Sequence, residues 1–172
     1  MKIFVNAGHG GVDPGAVSKN GKKEKDITRI IASFLVGFLI DDGFDVEYYQ
    51  QKKSVNEVVE VEKNSKSALV ISLHCNSVAN PSANGVECLY YPTSGTGKAV
   101  AGIISKNIAE YLEIKNRGIK ERRDLRVLSG TIAPAVVVEM AFLSNPKEEK
   151  IMTQEPYEFA QAIAKGVKEW AK

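Results

Sequence analysis

Four residues have the types and positions that chemistry would need. His74 directly follows Ala68–Leu73, a nearly continuous apolar run with β-branched residues, too short for an ordinary helix. Such a run suits a strand buried on both faces of a parallel sheet. His9 follows the β-prone run Lys2–Val5, and Glu139 follows the apolar run Ala135–Val138. Open α/β sheets bind ligands outside the carboxyl ends of their strands, so all three groups stand where a site would form. Each alone has a simpler account: a histidine can cap a strand, and Glu139 can pair with a cation such as Arg117.

Glu24 is the fourth. It lies three residues before Ile27 and seven before Ile31, in line with the apolar stripe of the helix that follows the first strand. A carboxylate aimed at a sheet needs a partner, either the positive end of its own helix or a metal. If the three strands are parallel, His9, His74 and Glu139 reach one edge and Glu24 returns to it. Two histidines and two glutamates then converge. Three protein ligands plus an open position is the pattern of a catalytic zinc site, with two histidines and a glutamate a known set. Such a centre still needs a base to take a proton from water, and on chemistry alone Glu139 or Glu24 fills that role.

The elements that must position these groups alternate along the chain. Asn6–Ala16, with four glycines and a proline, is a tight loop in which Gly8, Gly10 and Gly11 let the backbone pass close to an ion or substrate. It matches neither a P-loop nor a dinucleotide fingerprint. Ile27, Ile30, Ile31, Phe34, Leu35, Phe38 and Leu39 predict an amphipathic helix closed by Asp41-Asp42-Gly43. Phe44–Tyr49 reads as a strand, Ser54–Lys66 as a weaker helix capped by Ser54, Ser77–Gly85 as a loop, and Val86–Tyr91 as a strand. A helix spans about Thr96 to Leu112; Asn116–Arg126 reads as a charged loop and Leu125–Leu128 as a short strand. Asn145-Pro146 turns the chain before a final helix from about Glu155. Cys75 points away from His74 if the strand continues, which argues against a fourth ligand.

Composition narrows the function. The 172 residues are 44% hydrophobic, enough for one domain with a full core, 1–172. A net charge of +2 with interleaved signs does not indicate a nucleic-acid binder. Two cysteines make no disulfide framework, and no apolar run approaches the roughly 18 residues of a membrane span. The N-terminus lacks the regions of a signal peptide.

Taken together, Gly8–Ala16 (Gly-His-Gly-Gly-Val-Asp-Pro-Gly-Ala), Glu24, Ser72–Asn76, Asn116–Lys120 (Asn-Arg-Gly-Ile-Lys) and Pro134–Asn145 resemble the zinc-dependent N-acetylmuramoyl-L-alanine amidases of the amidase-3 type, along essentially the whole chain. The resemblance implies a mixed, mostly parallel α/β sheet of about six strands with helices on both faces. It implies one zinc ion held by His9, Glu24 and His74, with Glu139 as catalytic base. The reaction implied is hydrolysis of the amide between the lactyl group of N-acetylmuramic acid and L-alanine in peptidoglycan. Asn76 and Arg117 are candidate substrate contacts, Arg117 through a bidentate bond to a peptide carboxylate. Neither nucleic acid nor membrane insertion is expected. The enzyme would act on the bacterial wall, as a phage-type lysin released from the cytoplasm or as an excised domain of a secreted protein, with no wall-binding module after Lys172. Asn6 stands where the family often has an aspartate, and an asparagine there can still orient His9 by hydrogen bonding. A zinc peptidase of similar architecture and a non-catalytic wall-binding relative are the competing readings.

Overall fold

The computed structural model describes residues 1–172 and contains one six-stranded sheet. In chain order the elements are β1 (Lys2–Ala7), α1 (Glu24–Asp41), β2 (Asp45–Gln50), α2 (Val55–Ser65), β3 (Leu69–Asn76), β4 (Val86–Tyr90), α3 (Gly95–Tyr111), β5 (Asn116–Glu121), α4 (Arg126–Gly130), β6 (Ala135–Phe142), α5 (Pro146–Gln154) and α6 (Pro156–Trp170). The strand order is β2-β1-β3-β6-β4-β5. Every neighbouring pair is parallel except β4 against β6. The expected mixed, mostly parallel sheet with helices on both faces is what the chain builds.

Alternation along the strands sorts their side chains onto two faces. Ile71, Leu73 and Cys75 of β3, Val136, Val138 and Met140 of β6, and Cys88 of β4 enter the larger core with residues of α1, α3 and α6. Val70, Val137 and Leu89 enter a smaller core with Val58 of α2 and Val127 and Leu128 of α4. Ser72, His74, Glu139 and Glu87 lie on that second face by the same parity. Only the short α2 and α4 cover it, so its polar end stays open.

Strand direction decides what reaches that end. β1, β3 and β6 arrive by their carboxyl ends. Because β4 opposes β6 and β5 follows β4, these two arrive by their amino ends and bring Glu87 and Arg117 to the same edge.

Several sequence expectations are corrected. β3 and β6 run past His74 and Glu139 to Asn76 and Phe142, so both residues sit within strands rather than after them. Asn116–Glu121 is an edge strand, not a loop; Gly118 at φ 79° marks a register shift, and charged side chains are tolerated at an edge. Leu125–Leu128 is no strand but the start of α4. Asn145-Pro146 opens the helix α5 rather than a simple turn: the Asn145 side chain accepts from the Lys147 and Glu148 amides, with Pro146 in the first turn. Ser54 stands at the α2 cap position without a side-chain bond, and Glu57 instead accepts from the Lys52 and Lys53 amides.

Glu148, on α5, fastens the β4 entry to the end of β6. Its carboxylate accepts from the Gly85 amide at 2.7 Å and the Phe142 amide at 2.7 Å, both in buried surroundings. Glu148→Ala leaves two buried donors unpaired and should cost about 2–4 kcal/mol of stability, read from urea denaturation midpoints.

Candidate metal centre

The loop after β1 is shaped around the space the site needs. The Gly8 amide donates to the Leu73 carbonyl at 2.9 Å, and the Thr28 hydroxyl donates to the Gly8 carbonyl at 2.8 Å, tying the loop to β3 and α1. A Cβ on Gly8 would lie 2.4 Å from the His74 ring, and one on Gly15 would lie 2.6 Å from Glu24 Oε2 and 2.7 Å from the His9 ring. Glycine at these positions makes room for the three side chains. His9 itself adopts φ 61°, a left-handed conformation that a non-glycine residue rarely takes, and this directs its ring inward.

Glu24 is 4% exposed and opens α1. Oε1 accepts from the Cys75 amide at 2.9 Å and lies 3.0 Å from His74 Nδ1; Oε2 accepts from the Ala16 amide at 2.9 Å and lies 3.3 Å from His9 Nε2. Burial pushes the Glu24 carboxyl up, but the bonds with His74 and His9 outweigh it and hold the group well below the usual carboxylate range. The same bond with Glu24, opposed by burial and aided by Asp13, raises His9 to about 9.

His9, Glu24 and His74 offer ligand atoms that all lie within 4.8 Å of one another. Tetrahedral zinc with bonds near 2.0–2.1 Å separates its donors by roughly 3.3 Å. The two histidine-to-glutamate contacts, 3.0 and 3.3 Å, end on different Glu24 oxygens, and two imidazoles with one carboxylate suit zinc's preferences.

Glu139 sits beside this cluster, paired in register with His74 across β3 and β6. Its carboxylate makes no hydrogen bond or ion pair with the protein, and burial raises it above the ordinary carboxylate value. The sequence alternative of an ion pair with Arg117 is not what forms: Arg117 Nε donates to Glu87 Oε2 at 2.8 Å. His9, His74 and Glu139 line a cavity of about 510 Å³ with Asn6, Val55 and Leu125 among its walls.

Asn76 and Arg117 each donate to Glu87, and neither lines the cavity. Asn6 does not hold His9; its amide and the Ser72 hydroxyl are bonded to each other at 2.7 Å. Asp13 orients the ring instead, with Oδ2 2.8 Å from His9 Nδ1 while Oδ1 accepts from the Gly15 amide. Cys75 faces the core as expected; its thiol is pushed far up by burial, and its contribution to the site is the backbone N–H on Glu24. Asp13 and Glu87 were missed from sequence. Glu87 carried the same signal as Glu139, a glutamate in an apolar strand run.

Residues 3–169 match the family described as N-acetylmuramoyl-L-alanine amidase, Amidase_3. The germination-specific N-acetylmuramoyl-L-alanine amidase of Bacillus subtilis is 28% identical over 96% of this chain and 77% of its own length. The endolysin of Bacillus phage SPP1 is 33% identical over 97% of this chain and 65% of its own length. Among solved structures, the N-acetylmuramoyl-L-alanine amidase AmiC2 of Nostoc punctiforme superposes with a TM-score of 0.93 at 27% identity, covering 99% of this chain and 97% of that one.

Two predictions follow from this geometry. Asp13→Ala frees His9 Nδ1 and should weaken zinc affinity by about 10–100-fold, measured by competition with a chromophoric chelator. In metal-free protein the raised His9 contributes stability that is full below its unfolded value near 6.5 and is lost as pH rises through about 9. The difference in melting temperature between chelated wild type and chelated His9→Gln should therefore shrink from pH 6.5 to pH 9.5.

Proposed function

Because the chain belongs to the N-acetylmuramoyl-L-alanine amidase family, whose members are zinc-dependent hydrolases, we propose that it cleaves the amide joining the lactyl group of N-acetylmuramic acid to L-alanine in peptidoglycan, using His9, Glu24 and His74 as zinc ligands and Glu139 as general base. One observation carries the division of labour. Both Glu24 oxygens are committed to backbone amides and histidines, whereas the neighbouring Glu139 carboxylate has no protein partner. Glu24 is built to be held, and Glu139 is left free to accept.

Zinc in that set of donors would polarise the scissile carbonyl and make a water acidic enough to attack near neutral pH. Glu139 accepts the proton of the attacking water and delivers it to the departing alanine nitrogen. The carbonyl carbon gains the hydroxyl oxygen, the C–N bond breaks, and the products are a lactyl carboxylate and a peptide with a free alanine amine. Burial disfavours the charged form of Glu139, which suits a base that must also act as an acid within one turnover. The Asp13 contact keeps His9 Nδ1 occupied, so Nε2 is the nitrogen turned toward Glu24.

The substrate is a wall polymer, and no helix of the chain is long and apolar enough to cross a membrane.

Glu139→Gln keeps shape and hydrogen bonding but cannot take the proton. It should retain zinc by elemental analysis and melt within a few degrees of wild type, while turnover falls by roughly two to four orders of magnitude. Mass spectrometry of digested muropeptides should show a new N-terminal alanine from the wild type. A new amine elsewhere in the stem would make the enzyme a peptidase, and full turnover by Glu139→Gln would remove Glu139 from the mechanism.

A further inference from the structure

Glu87 is a charged residue where an apolar one would be cheaper. It is 7% exposed, lies in the otherwise apolar β4, and is the register partner of Glu139 across the antiparallel β4–β6 pair. Like charges directly opposite one another destabilise a sheet, and burying a carboxylate adds to the cost. Three donors offset it: Asn76 Nδ2 at 3.0 Å on Oε1, and Arg117 Nε at 2.8 Å and Lys120 Nζ at 2.5 Å on Oε2. Burial pushes the Glu87 carboxyl up, and the bonds to Lys120 and Arg117 bring it below its ordinary value.

What those bonds leave free is as informative as what they use. Asn76 Oδ1 has no protein partner once Nδ2 is committed to Glu87. Arg117 is gripped chiefly by Nε; Nη1 donates at a long 3.4 Å to the Asn84 carbonyl, and Nη2 has no protein partner. Its guanidinium lies 4.9 Å from the centre of the Phe142 ring, which restricts it further. An arginine held this way presents the end of its fork, the geometry that takes a carboxylate.

We propose that Glu87 is a positioning residue that holds Arg117 and Asn76 beside Glu139, so that the Arg117 fork binds a carboxylate on the peptide side of the scissile amide and Asn76 Oδ1 accepts a peptide N–H. This rests on the amidase reading of the site. The chemistry of the substrate assigns the side. The single carboxyl of N-acetylmuramic acid is consumed in the scissile bond, so only the stem peptide still carries carboxylates. The cavity that Glu139 lines, with Val55, Leu125 and Val127 in its wall and neither Asn76 nor Arg117, then receives the glycan.

The test separates positioning from folding and from catalysis. In zinc-loaded protein carrying Glu139→Gln, calorimetry measures binding of a synthetic N-acetylmuramoyl peptide ending in a free carboxylate and of its carboxamide. The parent should bind the acid about tenfold more tightly, roughly 1.4 kcal/mol. Adding Glu87→Gln should lower affinity for the acid about tenfold and abolish the preference; Arg117→Gln should do the same, and the pair together no more than either alone. Glu87→Asp, which keeps the charge, should restore part of the preference. Preference retained in folded Glu87→Gln overturns the proposal. So does strict additivity with Arg117→Gln, or, should Glu87→Gln not fold, an unchanged preference in Arg117→Gln. Binding is read without turnover, while the amidase reading stands or falls on the wild-type cleavage product, so the two can fail separately.

Discussion

The Glu24 carboxylate joins parts of the chain that otherwise have no reason to meet. One oxygen takes an amide from the end of β3, the other an amide from the glycine loop, and each also faces a histidine. A carboxylate buried to this degree persists only with its lone pairs filled, and here they are filled by groups from two separate segments, the glycine loop and the end of β3. The position of α1 against the sheet, the path of the loop and the orientation of both imidazoles are therefore coupled. Gly8 and Gly15 belong to the same constraint, because a methyl group at either would enter the volume the cluster occupies.

A second constraint comes from strand direction. Were the sheet wholly parallel, β4 and β5 would present their far ends to the site, and Glu87 and Arg117 would lie at the opposite edge. The single antiparallel pairing of β4 with β6 brings them beside Glu139. Charge is then partitioned around the site: Glu24 is satisfied by histidines and backbone amides, Glu87 by Arg117, Lys120 and Asn76, and Glu139 by nothing in the protein. Keeping the Glu139 carboxylate unpaired in such a crowd requires that nearby cations be engaged elsewhere, and Glu87 engages two of them.

How much of this was legible in sequence follows from what each residue costs. His9, Glu24, His74 and Glu139 stood out because polar groups at the ends of apolar runs, or in line with an apolar stripe, are expensive without a purpose. β3, β6 and α1 were legible for the related reason that buried elements carry unbroken or strictly periodic apolar residues. β5 was not, because an edge strand with a positive-φ glycine and charges on either side of it reads as a loop. The opening of α5 was missed because asparagine followed by proline serves a turn and a helix start equally well. Asp13 and Glu87 depended on facts no local pattern contains: the fold of a loop back onto its own histidine, and the direction of a strand. Asn6 was expected near His9 and instead faces Ser72, since it lies within β1 while the ring is carried beyond it.

The β5 edge has a consequence of a different kind. An exposed edge strand offers its unpaired amides and carbonyls to any neighbouring molecule, and long apolar edges invite sheet-to-sheet aggregation. Asn116–Glu121 spaces its one large apolar side chain, Ile119, between Arg117, Lys120 and Glu121, and Gly118 interrupts the regular ladder. Strand addition by a second copy would have to desolvate these charges against like charges of its own. The cations that partner Glu87 thus also guard an open sheet edge, so replacing Arg117 or Lys120 with an apolar residue would leave that edge more open to strand addition.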